Sequence, residues 1–333
     1  MRTPDGIIGN SERLAQALEH LSRLAPIHRP VIVVGERGTG KELAAQRLHY
    51  LSMRWQAPYV TVNCGAMAES LLESELFGHE PGAFTGAAAV RRGLFERADG
   101  GTLFLDELGA TSLRLQEKLL RLVEYGELQR LGGQRTIQVD VRLVAATHAD
   151  LPALAASGAF RPDLLDRLSF DVVQLPALRE RSEDIPELAE HFAVHMASEL
   201  GWPLFPGFTT EARARLAAHR WPGNVREQKN AVERSVYRWD NPGAPVAEIV
   251  LDPFPAGTAA PVPAHRDPPP GAGGGLRAQL AALERQLLES ALARHGYRQK
   301  AAAAALELSY DQLRGLLRKH GLRSRQPRSH TRE

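Results

Sequence analysis

The sequence holds one cysteine, Cys64. Neither an intrachain disulfide nor a zinc site built on several thiolates can form. No apolar run is long enough to cross a bilayer. The opening residues, Met1-Arg2-Thr3-Pro4-Asp5-Gly6, lack the apolar stretch of a secretory signal, so a cytoplasmic protein is expected. Net charge is nearly absent too, +2 over 333 residues, but it is unevenly placed. Residues 276–333 carry 12 Lys and Arg against 5 Asp and Glu, whereas residues 1–275 carry 29 against 34. A basic end on an acidic body points to nucleic acid as the partner of that end. A solvated charged tail is the plain alternative.

Apolar content is ordinary at 43%, and the chain is long enough for two or three domains with real cores. Short apolar runs at 31–34, 60–62, 102–105, 139–146 and 172–175 predict strands. Helical patterns lie between them, at 42–48 and 113–125. The alternation predicts an α/β fold, a parallel sheet covered by helices on both faces. After Leu175 the pattern turns helical, over 184–201, 210–218 and 224–239. Residues 256–275, rich in proline and glycine, cannot build a core and read as a linker. The expected parts are a nucleotide-binding subdomain over 1–175, a helical subdomain over 176–255, the linker over 256–275, a helix-turn-helix over 276–322 and a basic tail over 323–333.

Gly35-Glu36-Arg37-Gly38-Thr39-Gly40-Lys41-Glu42 has the G-x4-G-K spacing of a phosphate loop, with a strand before it and a helix after. Such a loop cradles phosphate oxygens with consecutive backbone N–H groups, and its lysine reaches the outer phosphates. ATP is the expected ligand. Glu42 replaces the usual Ser or Thr, so direct hydroxyl ligation of magnesium is lost and the metal relies on other groups. A second strand ends in Asp106-Glu107. One acid can hold Mg2+ through water and the other can orient and deprotonate the attacking water; Asp106 is assigned the first role and Glu107 the second. Phosphoryl transfer also calls for positive charge on the outer phosphate, with Arg161, Arg167 and Arg226 as candidates.

Gly82-Ala83-Phe84-Thr85-Gly86-Ala87 places one aromatic in a loop of small residues. Glycines let such a loop change shape, and Phe84 can anchor a partner. This segment, the phosphate loop, residues 75–80, Asp106-Glu107, residues 160–168 and Trp221-Pro222-Gly223-Asn224-Val225-Arg226-Glu227 occur in order. Together they resemble the AAA+ ATPase domain of bacterial activators of sigma-54 RNA polymerase, over about residues 7–255. The resemblance implies that the 82–87 loop rises from a hexameric ring when ATP is bound and touches sigma-54. It implies that Asn63 relays nucleotide state to Glu107, that Arg161 and Arg167 serve the neighbouring subunit's nucleotide, and that Arg226 senses phosphates from the lid. Thr147 would sense the outer phosphate. The ATPase begins almost at Met1, and residues 170–176 and 233–238 resemble the phage shock subgroup of the family. Control in trans by a homologue of phage shock protein A is therefore expected. The chain departs from the family at His148, usually asparagine, and at Gln228, usually leucine, which is expected to loosen lid packing.

At the C-terminal end, Leu276, Leu280, Leu283, Leu287 and Ala291 recur at three and four residues, an apolar seam suited to dimerisation or to packing on the helices that follow. Residues 299–306 and 309–320 predict a helix-turn-helix, capped by Ser309 with Gln312, and the segment resembles the Fis type of the same activators. In such a motif the second helix enters the major groove of double-stranded DNA. Tyr310, Asp311 and Arg314 are the base-side candidates; Arg298, Lys300, Arg318 and Lys319 are phosphate-side. Glu307 replaces the family's turn glycine. The expected function is thus an enhancer-binding, ATP-hydrolysing transcription activator. A remodeller of some other protein and a DNA-binding regulator with a vestigial ATPase are its rivals.

Overall fold

The computed structural model describes residues 6–253 and 276–322. It divides into two units, Met1–Phe254 and Pro255–Glu333. The expected linker over 256–275 and tail over 323–333 lie outside the described residues.

The first unit opens with helix α1 (Glu12–Leu24), strand β1 (Val31–Val34), α2 (Lys41–Tyr50) and β2 (Tyr59–Asn63). Helix α3 (Glu69–Phe77) runs into a short antiparallel pair, β3 (Gly78–His79) and β4 (Arg91–Arg92), that brackets the 82–87 loop. A single turn, α4 (Leu94–Arg97), leads to β5 (Thr102–Asp106) and α5 (Leu113–Tyr125). The hairpin β6 (Glu127–Gln129) and β7 (Thr136–Gln138) precedes β8 (Arg142–Thr147), then α6 (Leu151–Ala156), α7 (Pro162–Leu168) and β9 (Asp171–Gln174). Strands β2, β5, β8, β1 and β9 lie in that order in one parallel sheet.

Alternation along the strands decides what covers the sheet. Leu103, Leu105, Leu143 and Ala145 face one apolar core with Phe77, Phe95 and Leu119. Phe104, Val144 and Ala146 face the opposite core with Leu21, Leu24 and Leu48. Burial on both faces is why these runs read as continuously apolar. The fourth strand corrects the expected range of 139–146. Val139 instead donates its N–H to Gly126 O, holding it to the turn after α5, and the strand starts at Arg142. The two small antiparallel pairs were not foreseen, because two- and three-residue strands leave no periodicity to read.

Helices α8 (Asp184–Glu199), α9 (Thr210–Ala218) and α10 (Asn224–Tyr237) form the lid around Trp221, Leu216, Val232 and Ile249. Trp221 is fully buried and its indole N–H donates to Leu216 O. Gln228 is also fully buried. Its Nε2 donates to Ile185 O at 2.7 Å, stapling α10 to α8, while its Oε1 has no partner. The expected loosening is thus confined to one orphaned oxygen.

The second unit holds α11 (Leu276–Arg294), α12 (Gln299–Ala305) and α13 (Tyr310–Lys319), joined around Leu288, Ala291, Leu292, Ala302, Leu313 and Leu317. Glu307 keeps the left-handed turn, φ 54°, that its glycine counterpart would make without a Cβ. Among the described residues no helix is long and apolar enough to cross a membrane.

A buried carbonyl without a donor is destabilising, and Ile185 O does not need Gln228 because it lies inside a helix. Gln228→Leu is expected to stabilise the first unit by about 1 kcal/mol, read as a higher urea midpoint at unchanged slope.

Candidate functional site

The parallel register brings the chemistry to one edge. Asn63 pairs with Asp106 across β2 and β5, and Val34 with Thr147 across β1 and β8. Gly35, the first loop residue, donates its N–H to Thr147 O. All four strands therefore end where open α/β sheets bind ligands.

Gly38 and Gly40 take left-handed conformations, φ 80° and 99°, that turn the loop into the N-terminus of α2. Gly40 caps that helix with no side chain, so the first-turn amides meet no competing cap and remain available to an anion. Lys41 is buried, and its Nζ donates to Gly35 O and Glu36 O. Burial lowers its pKa, while the charges of Glu107 and Asp106 raise it again.

The loop is tied to the lid. Glu36 accepts from both guanidinium nitrogens of Arg179 and from Asn224 Nδ2. Those bonds, Arg179 first, hold its pKa down at about 2. Asn224 also donates to Arg37 O and accepts from Leu178 N. The lid backbone comes so close that a Cβ on Gly38 would lie 2.3 Å from Gly223 O. Between loop and lid lies a cavity of about 960 Å³, lined among others by Lys41, Asn63, Asp106, Glu107, Arg181 and Arg226.

Asp106 accepts from Asn63 Nδ2 at 3.1 Å and from Glu107 N at 3.0 Å. Glu107, in the left-handed region at φ 54°, bonds His148 Nδ1 at 2.6 Å through Oε2 and faces Arg37 Nε at 3.7 Å through Oε1. Asn63 thus contacts Asp106, and the residue that holds Glu107 is His148. Thr147 is fully buried, accepts from Ala149 N and lies outside the cavity lining. Glu42 is exposed and lines the cavity. Arg161 and Arg167 do not reach it: they pair with Asp163 and Glu124 on the surface.

The 82–87 loop closes on itself through Gly82 N to Ala87 O and Ala87 N to Phe84 O. Gly82 and Gly86 have positive φ and open space where a Cβ would stand. Ala83 abuts Gly132 of the β6–β7 hairpin, and Thr85 is exposed. Phe84 is 47% exposed, resting one edge on His79. Below it, Arg130 bridges Glu80 and Glu96 at 2.7–2.9 Å, a charged brace at the foot of the loop.

In the second unit Ser309 and Gln312 form the expected capping box. Arg298, Lys300, Tyr310, Asp311, Arg314 and Arg318 are exposed, and the Arg314 guanidinium lies over the Tyr310 ring. Lys319 is not free; it bonds Glu284 at 2.7 Å. Ala291 packs inward, whereas Leu280, Leu283 and Leu287 are exposed along α11.

Residues 7–174 match the family model of the sigma-54 interaction domain, residues 179–249 that of the AAA+ ATPase lid domain, and residues 279–320 that of the Fis family of bacterial regulatory proteins. The chain is a sigma-54-dependent transcriptional activator. It is 54% identical over 328 residues to the Psp operon transcriptional activator of Escherichia coli (strain K12), covering 95% of this chain and 98% of the relative. It is 50% identical over 229 residues to the Nif-specific regulatory protein of Azotobacter vinelandii, covering 69% of this chain and 44% of that one. Among solved structures, NtrX from Brucella abortus in complex with ATP is similar at 33% identity and TM-score 0.68, covering 95% of this chain and 70% of that one.

In this activator, residues 37–42 of the loop, Asp106, Glu107, Asn63 and Arg226 line one cavity. The ties made by Arg179, Asn224 and Arg181 were not legible. Arg179 reaches Glu36, Asn224 reaches Glu36 and Arg37, and Arg181 reaches Thr39 O, each across more than a hundred positions.

Glu36 and Arg179 share one interaction, so their losses should overlap, with Glu36→Ala the worse because it also frees Asn224 Nδ2. Glu36→Ala and Arg179→Ala are each expected to weaken binding of a fluorescent ATP analogue several-fold. The double variant should be no weaker than the worse single; fully additive losses would separate the two residues.

Proposed function

We propose that this activator turns ATP hydrolysis into remodelling of the closed promoter complex of sigma-54 RNA polymerase, with the 82–87 loop as the moving contact. The AAA+ and lid domains make it an ATPase, and the sigma-54 interaction and Fis domains imply sigma-54 and DNA as partners. The observation that carries the coupling is Phe84. It is an exposed aromatic between two unobstructed glycines, on a stalk braced by Arg130, in the same unit as the nucleotide cavity.

The proposed parts keep the expected boundaries: ATPase over 1–175, lid over 176–255, linker over 256–275, DNA-binding unit over 276–322 and tail over 323–333. Phosphates of ATP lie on the amides of residues 35–42, with Lys41 on the outer ones. The carboxylate at the end of β5 is a hard oxygen donor in the cavity, which fits magnesium. Asp106 would hold that ion through water, and the ion would supply positive charge to the outer phosphates. Glu107 orients and deprotonates the attacking water and Asn63 fixes Asp106, while Thr147, which does not line the cavity, would sense the outer phosphate only by way of Gly35, whose N–H donates to its carbonyl. Arg226 reaches the phosphates from the lid. The resemblance assigns Arg161 and Arg167 to the neighbouring subunit's nucleotide in a hexameric ring, and their place outside their own chain's cavity agrees with that role.

The exposed leucines of α11 support a dimer of the second unit on enhancer DNA. Tyr310, Asp311 and Arg314 then face bases, while Arg298, Lys300 and Arg318 meet phosphates. Lys319 must first release Glu284. Likeness to the Psp operon activator supports that operon as target and a phage shock protein A homologue as inhibitor.

Arginines acting in trans make turnover a property of the assembly. Specific ATPase activity is therefore expected to rise with protein concentration and to fall about a thousandfold or more in Arg161→Ala or Arg167→Ala. A flat concentration profile would place the arginines elsewhere. In a pull-down with ADP and aluminium fluoride, sigma-54 should be retained by the wild-type protein, lost without the analogue and lost in Thr85→Ala. Hydrolysis without any retention would point instead to another remodelling target. Absence of turnover in the assembled protein would mean a vestigial ATPase.

A further inference from the structure

The nucleotide cavity has two kinds of wall. Lys41, Asp106 and Glu107 supply charge, whereas Ile7, Ile8, Leu188 and Phe192 are apolar. Phosphates belong on the first kind, so the flat base belongs on the second. Part of the apolar wall, residues 6–8, is fastened to the lid by the residues that follow it. Asp184, the first residue of α8, is 1% exposed. Its Oδ1 accepts from Asn10 N at 2.7 Å and Ser11 N at 2.8 Å, and its Oδ2 accepts from Ser11 Oγ at 2.7 Å. Ser11 stands at the N-cap of α1, yet its side chain does not cap that helix. Gly9, at φ 138°, passes so close that a Cβ there would lie 2.5 Å from Asp184 Oδ2. Ile7 packs on the core that holds Leu21 and Phe104, and Ile8 on the lid core around Trp221. Residues 6–11 are thus a strap between sheet and lid.

The same carboxylate leads to the phosphate loop. Asp184 Oδ2 lies 3.7 Å from Arg181 Nη1, and Arg181 Nη2 donates to Thr39 O at 3.4 Å. Arg181 is buried with its Nε unpartnered, and it lines the cavity. A buried ion pair with such long contacts is weak support for stability. What it does is join three segments: the strap, the phosphate loop and the lid.

We propose that Asp184 is a positioning residue for the base of the nucleotide: it holds residues 6–8 as a lid-borne wall against the base and, through Arg181, sets the place of that wall relative to the phosphate loop. The proposal rests on the reading that ATP lies with its phosphates on residues 35–42. Asp184 itself does not line the cavity, so it acts only through the residues it holds. Loosening the strap takes a wall from the base and leaves the loop amides and Lys41 in place for the phosphates.

Two probes separate the walls in the full-length protein with magnesium. One is a fluorescent, non-hydrolysed ATP analogue; the other is inorganic tripolyphosphate, which has no base, competing with it. Gly9→Ala adds one methyl against Asp184 and removes no polar group. Asp184→Asn keeps the shape but loses the charge and one accepting oxygen. Each is expected to weaken the analogue roughly tenfold and to change tripolyphosphate affinity by less than about twofold, the loss expected when hydrogen bonds to a buried charge are broken at one wall alone. Retained tripolyphosphate binding also reports a folded phosphate loop, and Gly9→Ala decides the matter if Asp184→Asn fails to fold. Equal loss of both probes in Gly9→Ala overturns the positioning role, as does undiminished analogue affinity in either variant that still binds tripolyphosphate. A wild-type protein whose analogue is not displaced by tripolyphosphate overturns instead the placement of phosphates on residues 35–42.

Discussion

The parallel register of β2, β5, β8 and β1 is the constraint on which everything else in the first unit depends. Parallel strands all deliver their carboxyl ends to one edge, and the loops that follow them meet there. That is why the phosphate loop, Asn63, Asp106 and Thr147 converge although they are scattered over more than a hundred residues. The sheet is rigid because both faces are packed, Leu103 and Leu105 into one core and Phe104 into the other.

Two features connect that edge to the rest of the molecule. On one side, Glu36 is clasped by Arg179 and Asn224, so the loop at residues 35–42 is tied directly to the helical lid. On the other, α3 leads from the end of β2 to the β3–β4 stalk and the 82–87 loop. A change at Asn63 therefore has a short, packed route to Phe84. Leu72, Leu76 and Phe77 of α3 are buried in the same core as Leu103 and Leu105, which makes that route stiff.

His148 illustrates how one departure can redistribute roles within a site. The family resemblance assigns the relay to Asn63, yet here Asn63 serves Asp106 and the histidine takes Glu107. An imidazole reaches across from the end of β8 to a strand neighbour. This ties Glu107 to the same strand end that carries Thr147.

The fold class and the residues that come to line the cavity are largely legible in short stretches of the chain, because local rules govern both. Alternating apolar runs, a glycine-rich turn between strand and helix, and two acids ending a strand need only neighbouring residues to be recognised. The capping box at Ser309 and the left-handed turn at Glu307 are local in the same way. The contacts that no local rule foretells join partners distant in sequence. These are the grip of Arg179 on Glu36, the Arg130 brace between Glu80 and Glu96, the bond from Lys319 back to Glu284, and the pairing of His148 with Glu107. Lysine, arginine, histidine and glutamate carry no periodic signal of their own. Their meaning depends on which charged group the folded chain brings within about three ångströms, and that distance exists only once each unit has folded.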